Sequence, residues 1–327
     1  THRVQVWQIM ALAAAGGVIN AFDIPARQAF LIDMVGREDL LNAIALNSSM
    51  FNGARIIGPA VAGIVVAAVG EGWCFMANSL SYIAVITGLL LMKLPAWQER
   101  LRETSPLEEI IVGFKFVKNT APIRTILLML GLVSLVGMPY AVLMPIFAAQ
   151  ILHGGARALG ILMGATGVGA LLGAVSLAAR VGVKGLGKLI AICAAGFGLA
   201  LIAFSFSRVF WLSALLLIPV GFCMMVQMAS SNTLVQSMVP DTMRGRVMSV
   251  YSMMFMGMAP FGGLFAGAIA HHIGAPYTVA IGGLACIAGA SVYAMYLPKI
   301  RGAARELILA QGMTAGVPVQ EVTRQGA

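Results

Sequence analysis

Nine stretches of this chain are apolar for about 20 residues or more, long enough to cross a bilayer. They lie at roughly 5–34, 41–70, 73–94, 123–149, 157–180, 187–206, 209–236, 247–271 and 276–297. Only 10% of residues are charged and 60% are hydrophobic, against about 25% charged in a soluble domain. A soluble fold would have too little polar surface to cover it. Continuous runs of this length also exclude a strand barrel, whose segments are short and alternate, so the spans are expected to be helices. The chain therefore reads as an all-α, multi-pass membrane protein.

The net charge of +9 lies in the links rather than on one aromatic-flanked face, which argues against nucleic acid. Alternate links hold sixteen Lys and Arg residues, among them Lys115, Lys118, Lys184, Arg244 and Arg246. The opposite set holds three, Arg3, Arg157 and Arg208. The positive-inside rule then places the basic links and the C-terminus in the cytosol. Residues 95–122 form the longest hydrophilic stretch and are expected to carry a short amphipathic helix, Leu107 to Val117. The tail from Gly302 is polar and expected to be poorly ordered.

Cys74, Cys193, Cys223 and Cys286 all fall in apolar runs without a CxxC partner, so neither a disulfide nor a metal site is expected. The stretch Gly182 to Leu189 is one residue short of a phosphate-binding loop. Leu189 stands where Ser or Thr is required and no strand is expected before it. No nucleophile elbow and no paired carboxylates occur in a span. An enzyme and a cofactor are not expected.

Shifting the chain by 204 residues aligns 34–70 with 238–274, with ten identities in 37 positions. Met34/Met238, Ser48/Ser252, Gly53/Gly257, Gly58/Gly262, Ala62/Ala266, Gly63/Gly267 and Gly70/Gly274 are among them. Both copies begin in a basic link, so the repeat is parallel, as between the halves of major facilitator transporters. Projecting the second half's spacing onto the first places its start about 80 residues before Thr1. Nine helices of a twelve-helix fold are then expected here. Residues 1–94 would hold helices four to six, 95–122 a cytosolic connector, 123–297 helices seven to twelve and 298–327 a cytosolic tail.

Asn20 to Phe30 (NAFDIPARQAF) and Leu41 to Gly63 (LNAIALNSSMFNGARIIGPAVAG) resemble the fourth and fifth helices of a bacterial major facilitator branch. That branch includes enterobactin exporters and macrolide efflux proteins. Val239 to Ser249 (VPDTMRGRVMS) is similar to its link between helices ten and eleven. The resemblance implies a monomeric exporter in the bacterial cytoplasmic membrane. It would use protons to drive export of lipophilic or amphipathic small molecules by alternating access. A lysophospholipid flippase, a scaffold without a transport cycle and an inactive fragment are the competing readings.

Asp23, Arg27 and Arg55 are the candidate coupling and gating residues, because a charge at membrane depth needs a cavity and a partner. Asp23 and Arg27 are spaced i,i+4. Asp23 lies about 16 Å and Arg55 about 21 Å from the cytosolic ends of their helices at 1.5 Å per residue. A permanent ion pair between helices is the alternative. Asn20 and Asn52 extend the same polar faces. The repeat places Gln227 opposite Asp23, Ser231 opposite Arg27 and Ala259 opposite Arg55. Gln227, Asn232 and Tyr251 are accordingly candidates for the second half's substrate wall, or else for helix-to-helix hydrogen bonds. Gly58, Pro59 and Gly63 resemble the helix-five motif of facilitator-type exporters, although close packing also explains such glycines. Gly169 and Gly173 are expected to pack helices, and the Met253–Met258 cluster to line an adaptable pocket or fill the core.

Overall fold

The computed structural model describes residues 71–92 and 106–314 apart from 181, with scattered positions between Gln5 and Val69. The chain divides into two compact units, Thr1–Arg55 and Ile56–Ala327. Among the described residues every regular element is helical and there is no strand. Among the described residues seven helices are long and apolar enough to span a membrane. They coincide with the last seven apolar runs; the first two runs fall largely outside the described residues.

α1 (Glu71–Leu91) is exposed along nearly its whole length. α2 (Pro106–Asn119) is the amphipathic connector helix, two residues longer at its C-terminal end than the sequence suggests. α3 is a rod built from Ala121–Leu132, a π-helical turn at Val133–Gly137, Tyr140–Ile146 and a second π turn at Phe147–Ile151. α4 (Gly155–Ala178), α5 (Leu186–Phe206) and α6 (Phe210–Met238) follow as continuous helices. α7 comprises Asp241–Ser252, a π turn at Met253–Gly257 and Met258–Ile273; α8 is Ala275–Thr314.

α6 packs most extensively on α4 and α5, and α5 on α8. The α4–α6 crossing is set by glycine. A Cβ at Gly169 would run into the Ile218 carbonyl, and one at Gly221 into that of Thr166. Two backbones at this separation leave no room for a side chain, which is how small residues drive helix association in lipid. Gly173 likewise faces Phe222 and Val226. On the other side α8 reaches α3 and α7, and the core closes around Phe147, Phe197 and Phe204.

The repeat explains two of its shared glycines. Gly274 has φ +85°, a left-handed conformation open to glycine without steric cost, and makes the turn between α7 and α8. Gly262 lies so close to the Leu135 carbonyl that a Cβ would collide with it.

Two expectations need correction. The final helix does not end near 297, and the residues after Gly302 do not begin an irregular tail: α8 runs through Pro298 to Thr314. Ile300, Ala304, Leu307 and Ile308 recur at i, i+4, i+7 and i+8 and pack on the core, which offsets the hydrogen bond lost at proline. The link expected around Val239 to Ser249 is also mostly helical, because α7 starts at Asp241 directly after Pro240. Its first turns rest on α2, where Gly113 approaches the Arg246 backbone.

Candidate functional site

Asp23 lies in helical backbone with an exposed side chain. Asn20, Arg27, Asn52, Arg55, Gly58, Pro59 and Gly63 fall outside the described residues. The polar positions that the structure does describe belong to the repeat's second copy.

These positions sit on α6, whose continuous helix places Gln227, Ser230 and Ser231 at i, i+3 and i+4 on one buried face. Gln227 is 2% exposed, and the two serines are fully buried. Ser231 Oγ donates to the Gln227 carbonyl at 2.8 Å, so the serine opposite Arg27 in the repeat satisfies itself within its own helix. Gln227 Nε2 and Ser230 Oγ have no hydrogen-bond partner among the described residues. A buried polar group left in that state is costly, roughly 1–3 kcal/mol, and most such groups meet a water or a ligand.

Tyr251 reaches α6 from α7. Its hydroxyl donates to the Met228 carbonyl at 3.1 Å and lies against the Asn232 side chain. Asn232 also accepts a hydrogen bond from Gln236 Nε2. The structure thus brings Asn232 and Tyr251 together but keeps Gln227 apart from them. Five residues on a helix separate Gln227 and Asn232 by about 140° around the axis. Tyr251 is nearly buried, 6% exposed, and Asn232 is half-buried.

A second cluster, not marked out by the sequence, joins α3 to α7. The π turns at Val133–Gly137 and Met253–Gly257 each start 12 residues into their rods, about 18 Å along at 1.5 Å per residue. There Ser134 Oγ donates to the Phe255 carbonyl, and Gly131 packs on Met254. A π turn disrupts the regular backbone ladder and often marks a functional position. The only sequence signal was a serine in an apolar run, facing a methionine cluster that ends in Gly257. Within that cluster Met253 and Met256 are exposed, whereas Met254 packs on the core.

Cys193 on α5 and Cys223 on α6 bring their thiols into hydrogen-bonding contact. Their separation of thirty residues gave no hint of it. The Gly182 to Leu189 stretch follows helix α4 and opens α5 at a left-handed Gly185, so it is a link between two helices. Among the described residues no group of three or more His, Cys, Asp or Glu side chains could hold a metal ion.

Residues 1–317 match the family model described as transmembrane secretion effector, MFS_3. A staphyloferrin A transporter of Staphylococcus aureus is 27% identical over 295 residues, covering 90% of this chain and 73% of that one. An enterobactin exporter, EntS, of Citrobacter koseri is 24% identical over 264 residues, with coverage of 79% and 62%. A multidrug efflux pump, Tap, of Mycolicibacterium fortuitum is 25% identical over 308 residues, with coverage of 91% and 74%.

Proposed function

Because the chain belongs to the transmembrane secretion effector family of major facilitator transporters, we propose that it is a proton-driven exporter of amphipathic small molecules. Siderophores and lipophilic drugs are the substrate classes, a choice supported by relatives named for siderophore transport and multidrug efflux. The basic links and the C-terminus face the cytosol in a bacterial cytoplasmic membrane, and the protein works as a monomer.

The observation that carries the substrate side is the buried donor pair Gln227 Nε2 and Ser230 Oγ. Buried polar groups in a span are tolerated when they face a partner or a water-filled path. This pair supplies the polar contacts of the second half's substrate wall, while Asn232 and Tyr251, about 140° away around α6, hold α7 against it. The sequence supports Asp23 as the proton carrier. No acidic residue occurs in any apolar run after the first. Arg27 and Arg55 are its proposed gating partners, since charges at membrane depth need one another, and a proton taken up at Asp23 releases the gate. The exporter-like spacing of Gly58, Pro59 and Gly63 supports export as the direction of transport.

The test is accumulation in everted membrane vesicles carrying the transporter. A fluorescent macrolide and a catechol siderophore are offered separately with an imposed proton gradient, acid inside. Uptake of either into the lumen, abolished by an uncoupler, is the expected result. Uptake that survives the uncoupler contradicts proton drive. Movement of lysophospholipid alone contradicts the substrate class.

A further inference from the structure

At the end of the Ile56–Ala327 unit that carries Gly274, an apolar groove of about 600 Å³ opens between α5, the end of α7 and α8. Its walls include Ile202 and Phe206 from α5, Ile273 from α7, and Tyr277, Ile281 and Leu284 from α8. Phe206 and Tyr277 meet edge to face at 6.1 Å and form its mouth. Leu284 lies nine residues into α8, about 13 Å along the helix. The groove therefore runs from the interfacial depth, where tyrosine is favoured, into the hydrocarbon. The Tyr277 hydroxyl is the one side-chain polar atom among these wall residues.

The rim has a sign. Arg208 follows Phe206 by two residues in the α5–α6 link and is exposed. His271 and His272 immediately precede Ile273 at the end of α7, also exposed, with their rings in edge contact at 5.2 Å. The links joining α3 to α4, α5 to α6 and α7 to α8 contain Arg208 and His153 and no acid. This end of the bundle is the one that carries few cations, so Arg208 beside the groove runs against the general charge pattern.

We propose that this groove is a binding site for one anionic phospholipid. An acyl chain lies along Ile202, Ile281 and Leu284 between α5 and α8. The phosphate-bearing headgroup rests at the Phe206–Tyr277 mouth beside Arg208 and His272. A hydrophobic channel accepts any acyl chain, whereas the cationic rim selects the headgroup's charge. The site is independent of substrate and of proton coupling, since it requires only that the helices span a bilayer.

Native mass spectrometry of the purified transporter, with equal phosphatidylglycerol and phosphatidylcholine of matched chains, tests it. One phosphatidylglycerol is expected to stay bound at collision energies that strip phosphatidylcholine. Arg208→Gln should weaken that retention about fivefold, the effect of one surface cation on an anionic lipid. Leu284→Trp, at an exposed wall position, sets an indole across the acyl-chain path and should weaken phosphatidylglycerol retention while the helical circular dichroism is unchanged. Equal retention of the two lipids overturns the proposal, as does phosphatidylglycerol retention indifferent to both substitutions. A dimer that Leu284→Trp dissociates would assign the groove to a second copy of this chain instead, and also overturns it.

Discussion

Asp23 and Gln227 hold matching places in the two copies of the repeat, 204 residues apart, and their chemistry differs. The first copy places Asp23, Arg27 and Arg55 at positions where the second has Gln227, Ser231 and Ala259. Asp23 is exposed, whereas Gln227 is buried. Ser231 binds its own helix and Ala259 is exposed on α7. The second copy has kept polarity but lost charge, and its polar atoms sit where a charge would be unpaired. This asymmetry is what the proposed division of work requires, one copy responding to protons and the other offering neutral hydrogen bonds to substrate.

Giving the second copy the first copy's charge should break the comparison most severely. Gln227→Asp puts a carboxylate beside fully buried serines on a helix, Phe210–Met238, that contains no Lys or Arg, at about 2.5–3.5 kcal/mol on insertion scales. Thermal unfolding in detergent should show a loss of that size. A Gln227→Asp protein as stable as wild type would mean the asymmetry has no structural basis.

Next in size come the shared glycines. Gly262→Leu must displace the Leu135 carbonyl and should cost about 1–3 kcal/mol by overpacking. Gly267→Leu, five residues on and facing open space, should stay within about 0.5 kcal/mol. Equal losses from the two, measured by the same unfolding assay, would remove the close-approach explanation for the repeat.

Tyr251→Phe should cost about 0.6 kcal/mol, a usual value for a hydrogen bond within a membrane bundle, by freeing the Met228 carbonyl and Asn232. A raised KM with unchanged maximal rate would place this pair on the substrate side. Smallest in stability is Gln227→Leu, near zero or slightly stabilising, because Nε2 has no partner to lose among the described residues. Its expected effect is on substrate affinity in the vesicle assay, and no change there would leave Gln227 a packing residue.

The spans were legible because each is a property of one continuous run. Leu186–Phe206 and the start of α8 at Ala275 fall within a residue of the edges read from hydrophobicity. Legible too were Gly169 and Gly173, whose spacing already marks a close helix crossing. The π turns were not, since Ser134 and Phe255 are 121 residues apart and their meeting depends on how two rods cross. Cys193 beside Cys223 was hidden for the same reason. The continuation of α8 past Pro298 was not legible from the tail's charges; it follows from the i, i+4, i+7 stripe of Ile300, Ala304 and Leu307. At the candidate site, the repeat singled out Gln227 as a candidate, and its separation from Asn232 and Tyr251 follows from helix geometry and the packing of α7.

The central claim is that charge in the first copy couples transport to protons. Everted vesicles carrying wild-type protein or Asp23→Asn test it directly, with a pH-sensitive dye reporting collapse of an imposed gradient on adding substrate. Wild type should collapse the gradient, and Asp23→Asn, inserted at equal level, should not. Collapse by Asp23→Asn as complete as by wild type would contradict the claim and leave Asp23 a structural partner of the arginines.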